Sequence, residues 1–382
     1  MIIYVIFQSL LILVAAILIG YQLLLGLLAL MPQHEQRAEQ VAFNHSFLLV
    51  IHLQNKEQEI SKTLYSLYGL VYPWNLFEVL VIADYGTGNA ANVARKFGAT
   101  VLERESDQYK GRSDVLCWAL EQIRLWEEKY DAIVVIEPGG LISGNFLEVM
   151  NQHLEEGSNI LQSSNLKVLT SGPWRIKFAH TARLIYNHVN SLGRKKLGLD
   201  TRLMGNGICF KTKVLKNISM ELSQTIDDFD DRMPLHMNGV RTDFAPEAIV
   251  WSQFYDSSGE RQSHKARDSQ FQIVKKNVRH FINRFIDNKS LQDFDTLVSL
   301  ITPPLKALFM GTTGMVIINW ALWRFGNISA SFFWIWITLL VMVTIYLLIG
   351  IATDRAFFLD LNNKPQKTKK SNLSGTIRSE HE

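Results

Sequence analysis

The sequence predicts an α/β domain built on a doubly wound sheet and held to a membrane by three apolar helices. Three observations carry this. Short continuous apolar runs alternate with helical stripes between Leu48 and Glu137, polar clusters sit just past each run, and two apolar regions flank the whole.

Phe47–Ile51 and Val79–Ala83 are apolar throughout and bounded by polar residues, the pattern of strands buried on both faces of a parallel sheet. Between them Gln58–Leu70 places Ile60, Leu64, Leu67 and Leu70 on one helical face. Asn89–Phe97, Thr100–Leu102, Ser113–Lys129 and Ala132–Ile136 continue the helix and strand alternation that defines the class. Ligands of such sheets bind beyond the carboxyl ends of the strands, which directs attention to His52–Glu57, Asp84–Asn89, Arg104–Arg112 and Glu137–Gly140. Farther on come an irregular region around Thr170–Asp200, a Gly205-Asn206-Gly207 turn and an acidic cluster at Asp227–Asp231.

With 382 residues, 47% hydrophobic and 20% charged, the chain has room for one ordinary domain and several membrane segments. Met1–Leu30 carries only Gln8, Ser9 and Gln22 as polar side chains apart from tyrosines, and it lacks a basic front end and a small-residue cleavage site, so it reads as a retained anchor. The runs near Leu305–Phe325 and Phe332–Ala352, joined by Gly326-Asn327-Ile328-Ser329, read as a membrane hairpin. The divisions are an anchor at 1–31, a domain at 45–268, an amphipathic interface helix and connector at 269–300, a hairpin at 301–353 and a basic, disordered tail at 354–382.

Lys and Arg are concentrated after Asp354 and absent from the hairpin link. The positive-inside rule therefore places the domain and tail in the cytoplasm of a cell inner or plasma membrane protein, with Met1 outside. Phe271–Ile286 has apolar residues at Phe271, Val274, Val278, Phe281, Ile282 and Phe285 with basic residues around them, as in helices that lie along a bilayer; an ordinary surface helix is the alternative. The two cysteines, Cys117 and Cys209, give neither a disulfide framework nor a zinc pattern. A net charge of +3 with dispersed cations gives no support to nucleic-acid binding.

An ordered series of landmarks resembles the inverting family-2 glycosyltransferases of the GT-A-like fold, in particular the membrane-bound branch with the cellulose, chitin and hyaluronan synthases. The series comprises Tyr72-Pro73, Ala94-Arg95-Lys96-Phe97-Gly98-Ala99, Asn145-Phe146-Leu147, Gln162, Gly205-Asn206-Gly207-Ile208-Cys209-Phe210 and Phe244-Ala245-Pro246-Glu247-Ala248. The resemblance implies donor-binding roles for Asn55, Asp84, Arg112, Glu137 and Arg267, and a proton-accepting role for Asp228 beside Asp227.

Several motif positions depart from that family. Lys56 stands where a Glu is usual, Gly88 where a second Asp is usual, and His264 and Asp268 flank Arg267 in place of Gln and Trp. The largest departure is Glu137-Pro138-Gly139, where the family has Asp-x-Asp and its second Asp holds the divalent cation. Gly139 supplies no side-chain oxygen, which leaves Glu137 as the only candidate metal ligand, while magnesium and manganese require hard oxygen donors.

The expected function is therefore a degenerate, non-catalytic transferase homologue of envelope polysaccharide assembly, acting as a nucleotide-sugar sensor or as the partner of an active synthase subunit. The alternative is an inverting transferase, active with magnesium or manganese or with Lys56, Lys110 and Arg112 in place of the cation. Its partners are a nucleotide-sugar or nucleotide diphosphate, the lipid bilayer and a polysaccharide-synthesis subunit.

Overall fold

The structure is a computed structural model that describes residues 2–32, 42–53, 57–84, 89–104, 118–119, 121–122, 129–169, 172–215, 239–253, 278–279, 281–325 and 329–363. Eight strands form one sheet: β1 (Phe47–Leu53), β2 (Phe77–Asp84), β3 (Thr100–Arg104), β4 (Ala132–Ile136), β5 (Leu141–Ile142), β6 (Ile160–Val168), β7 (Ile208–Lys211) and β8 (Thr242–Gln253), in the order β3-β2-β1-β4-β7-β6-β8-β5. β3, β2, β1 and β4 are mutually parallel, as the alternation predicts. The sheet then departs from a purely parallel plan, because β7 runs antiparallel to both β4 and β6 while β8 lies parallel to β6.

β1 is buried along its whole length, so its side chains serve two cores. Phe47, Leu49, Ile51 and Leu53 pack with Ile60, Leu64 and Leu67 of α2 (Glu57–Leu67) and with Phe146, Leu147 and Met150 of the helix Phe146–Glu155, here α4; α3 is Ala90–Lys96. Leu48 and Val50 face the other way, into Leu80, Ile82, Ile133, Val135 and Phe210. A polar residue at an inward position of either set would lose both transfer free energy and packing, on the order of 2–5 kcal/mol.

The region around Thr170–Asp200, expected to be irregular, is helical from Trp174. α5 (Trp174–Leu184) passes through a π-helical segment, Ile185–Val189, into α6 (Asn190–Lys196). The extra residue per turn in the π segment breaks the 3.6-residue repeat by which the helix would have been recognised.

Among the described residues three helices are long and apolar enough to cross a membrane: α1 (Ile2–Ala29), α8 (Leu305–Arg324) and α9 (Ala330–Asn363), with α7 (Leu291–Ile301) just before α8. α9 runs ten residues past the expected hairpin end at 353. α1 and α9 are parallel, since Gln8 meets Trp336, Gly20 lies beside Met342 and Gly26 beside Tyr346 and Ile349. The end of α1 that leads to the domain and the carboxyl end of α9 therefore lie at the same end of the bundle.

The few polar residues of α1 explain how the bundle is held. Gln8 Oε1 accepts from Trp336 Nε1 at 3.2 Å, and Gln22 Oε1 accepts from Asn190 Nδ2 at 2.9 Å. The Tyr346 hydroxyl donates to Asn190 Oδ1 at 2.6 Å, which ties both spans to α6 of the domain. Side-chain hydrogen bonds between helices serve this purpose where apolar burial cannot distinguish lipid from protein. At the same junction a Cβ on Gly193 would lie 2.4 Å from the Leu25 carbonyl oxygen, so only glycine lets α6 approach the backbone of α1 this closely.

Residues 281–288 are helical, and Phe281 is fully buried while Phe285 packs on Phe294 with ring centroids 5.6 Å apart. The exposed apolar residues of this segment are Ile282 and Ile286.

Candidate functional site at the carboxyl edge of the sheet

The ends of β1, β2 and β4 lie side by side. Leu53 is in register with Ala83, Ile51 with Ile136, and Asp84, the last residue of β2, with Arg104. The carboxyl ends of the three strands thus form one edge, with Asp84 the last residue of β2 and Glu137 directly after β4. The side chain of Asp84 and the residues Asn55, Arg112, Asp227, Asp228 and Arg267 lie outside what the structure describes.

At this edge Glu137-Pro138-Gly139 forms a clamped turn. The Glu137 N–H donates to Asn206 Oδ1 at 3.0 Å, the Gly139 N–H to Thr63 Oγ1 at 2.8 Å, and the Gly140 N–H to the Glu137 carbonyl at 3.1 Å. Gly139 has φ +84°, a conformation that costs an ordinary side chain about 1–2 kcal/mol. A Cβ there would lie 3.3 Å from Glu59 Oε2, the carboxylate that α2 directs at the turn.

Beneath the turn is a buried polar floor. Asn206 is fully buried; its carbonyl accepts from Gln162 Nε2 at 2.8 Å, and Gln162 Oε1 accepts the Met204 N–H at 2.7 Å. Asn206 Nδ2 has no hydrogen-bond partner among the described residues. Two residues along β6, on the same face as Gln162, Ser164 Oγ is 2.7 Å from His188 Nδ1, and the His188 ring stands edge-on to Phe244 at 5.7 Å. Burial pushes the His188 pKa down to about 4, so the ring is neutral. Its place in the π segment is one such insertions often occupy near functional sites.

Gly139 offers no side-chain oxygen, and among the described residues no group of three or more His, Cys, Asp or Glu side chains is placed to hold a metal ion.

Sequence reasoning points to Glu137 at this edge and to Gln162 and Asn206 as landmarks, without the contacts they make. It misses Glu59 and Thr63, which approach Gly139 from 76 residues away in the case of Thr63. The spacing of Glu59 and Thr63, four residues apart on one helical face, is the only local signal, and it reads equally well as an ordinary polar surface.

A family model described as "Glycosyltransferase like family 2" matches residues 45–270. A stretch of 95 residues is 30% identical to 4,4'-diaponeurosporenoate glycosyltransferase of Staphylococcus aureus, covering 25% of this chain and 24% of that protein, so the match spans about a quarter of that relative's length. Among solved structures, the mannosyltransferase PcManGT from Pyrobaculum calidifontis, in complex with GDP-Man and Mn2+, superposes with a TM-score of 0.53 at 14% identity, over 90% of this chain and 97% of that one. Staphylococcus aureus TarS 1–349 in complex with UDP-GlcNAc gives a TM-score of 0.42 at 14% identity, over 81% and 92% of the two chains.

Proposed function

The chain belongs to the family-2-like glycosyltransferases, and on that premise we propose that it is a membrane-anchored GT-A protein that takes up the nucleotide part of a sugar donor without a divalent cation and does not itself catalyse efficient transfer. The observation that carries this is the Glu137-Pro138-Gly139 turn. Its last residue has no side-chain ligand atom, its φ is +84°, and its Cβ side faces Glu59.

Electrostatic support of the leaving diphosphate commonly contributes more than any other single effect in such transfers, and removing one preorganised group costs on the order of 3 kcal/mol. That is a loss of more than two orders of magnitude in rate from a single position. In this reading Asn55, Asp84, Arg112 and Arg267 hold the nucleotide and its phosphates, with Lys56 and Lys110 adding positive charge. Asp228 with Asp227 retains the place of the base. The protein serves envelope polysaccharide assembly at the cytoplasmic face, as a nucleotide-sugar sensor or the partner of an active synthase subunit.

The test is calorimetric titration of the purified full chain with UDP and GDP, with and without magnesium or manganese, together with an assay of sugar release from the corresponding nucleotide-sugars. Binding that ignores the metal, with no release above background, is expected. A strong metal requirement overturns the proposal. Release that is lost in Asp228→Asn replaces it with an active transferase.

A further inference from the structure

We propose that the α5 and π-helical surface binds the headgroups of anionic phospholipids, in the leaflet from which the domain hangs. The first observation is compositional. Residues 157–199 contain seven Lys and Arg and no Asp or Glu, in a chain with 36 acidic residues overall.

The second is where this basic stretch lies. Thr181 and Ile185 pack on Gly350, and His180 Nδ1 is 3.6 Å from Asp354 Oδ2, near the end of the candidate span Ala330–Arg355. Gly193 packs on Leu25, near the end of the span Ile3–Ala29. Since α1 and α9 are parallel, these are the two span ends on the domain's side, and α5, the π segment and α6 cross both of them. One face of this helix is spent on the spans.

The remaining face is basic and aromatic. Trp174 is 73% exposed and Tyr186 45% exposed, and Arg175, Lys177 and Arg183 are exposed along with them. The Arg175 guanidinium is 5.7 Å from the Trp174 ring and that of Arg202 is 4.1 Å from the Tyr186 ring. Among the described residues none of Arg175, Lys177 and Arg183 is paired with a carboxylate, in contrast to Arg194 with Asp295 and Lys195 with Glu247.

Tryptophan and tyrosine settle at the level of lipid headgroups, with an apolar ring inward and a polar edge in water. Unpaired Lys and Arg at that depth attract anionic lipid, and the attraction falls off within a Debye length. A surface held against two span ends, with no acid in its own stretch of chain and with both residue types, has the chemistry of a phosphodiester headgroup site; Asp354 of α9 faces it only at His180. The helical residues 281–288 are a separate element, whose Arg284 is paired with Asp293.

The test uses the full chain reconstituted into phosphatidylcholine vesicles that carry, at equal mole fraction, either brominated phosphatidylglycerol or brominated phosphatidylcholine. The Trp174 signal is isolated as the difference between the parent and Trp174→Phe. Quenching several-fold stronger by the anionic lipid is expected, and Arg175→Gln/Lys177→Gln/Arg183→Gln should remove the difference. If the triple variant does not fold, raising the salt concentration on the parent protein provides the same comparison, and the preference should fall with it. Equal quenching by the two lipids, a preference indifferent to salt, or no quenching of the Trp174 component would each overturn the proposal.

Discussion

A Cβ on Gly139 would stand 3.3 Å from the Glu59 carboxylate, at a backbone φ of +84°. Restoring the family's aspartate by Gly139→Asp therefore meets two penalties at once: about 1–2 kcal/mol for the left-handed backbone and repulsion between two carboxylates in a partly buried turn. Gly139→Asp should unfold at a lower temperature than Gly139→Ala, and Gly139→Asp/Glu59→Gln should recover the difference between them. Thermal unfolding of the three variants checks this. Equal losses for Asp and Ala, unchanged by Glu59→Gln, would show that Glu59 does not oppose a charge there.

Arg194 and Asp295 form a buried pair, with Arg194 Nε 3.0 Å from Oδ1 and 3.1 Å from Oδ2 of Asp295, and the Tyr21 hydroxyl donates to the same carboxylate at 2.6 Å. Domain, α7 and anchor thus meet at one acid. Asp295→Ala strands the guanidinium without a counter-charge and should cost about 3–5 kcal/mol. Tyr21→Phe removes one hydrogen bond to a charged group and should cost about 1.5–3 kcal/mol. The double variant should lose less than the sum, because both act through one carboxylate. Unfolding of the detergent-solubilised chain measures the cycle, and strict additivity would refute the shared junction.

Burial holds the His188 pKa at about 4 against an ordinary 6.5. The unfolded chain therefore takes up a proton at a pH where the folded chain does not. Stability should fall as pH drops from about 6.5 to about 4 and level off below, by on the order of 3 kcal/mol in all. His188→Gln keeps a partner for Ser164 and has no proton to gain, so it should flatten this part of the profile. Parallel slopes for parent and variant between pH 7 and pH 4 would mean that His188 titrates normally.

Much of the domain is legible in the sequence because β1 and β4 are buried throughout and β2 is buried from Leu80 to Ala83, so that these runs are almost uniformly apolar. Ala132–Ile136 is predicted to the residue. The antiparallel half is harder to read, since β6 carries Gln162, Ser163, Ser164 and Asn165 in a row, all buried, with Gln162 hydrogen-bonded to the turn at Asn206 and Ser164 to His188 far along the chain. Nothing local marks such residues as core. The same is true of the site: Glu137 and Gly139 stand out by type, whereas Thr63 and Glu59 matter only through a contact the fold creates. The α5 to α6 region hides behind its π segment and its lack of an apolar stripe of constant period.

The segment from 281 to 288 redirects the test of membrane contact. Phe281 and Phe285, the obvious apolar positions, face protein, and Ile282 and Ile286 face outward. Ile282→Glu/Ile286→Glu should weaken association of this helix with the bilayer while leaving the fold intact, since exposed substitutions usually change stability by under about 0.5 kcal/mol. Phe281→Glu should instead destabilise the whole domain. Cysteine accessibility at 282 and 286, compared in detergent and in liposomes, separates the two cases. Equal labelling in both environments would mean that the helix is an ordinary surface one.

The orientation of the bundle gives the last prediction. α1 and α9 are parallel by their contacts, Gln8 with Trp336 and Gly26 with Tyr346, so the domain and the chain beyond α9 share one side whichever way the bundle is inserted. The choice of side then falls to charge: Arg355 lies near the end of α9, Lys364, Lys367, Lys369 and Lys370 follow it in sequence, and the Gly326–Ser329 link has no Lys or Arg. Short basic flanks remain in the cytoplasm. A reporter fused after Lys370 should behave as cytoplasmic and one inserted in the Gly326–Ser329 link as external. Reversal of both would invert the orientation and leave the helix packing untouched, whereas two reporters on the same side would contradict the hairpin itself.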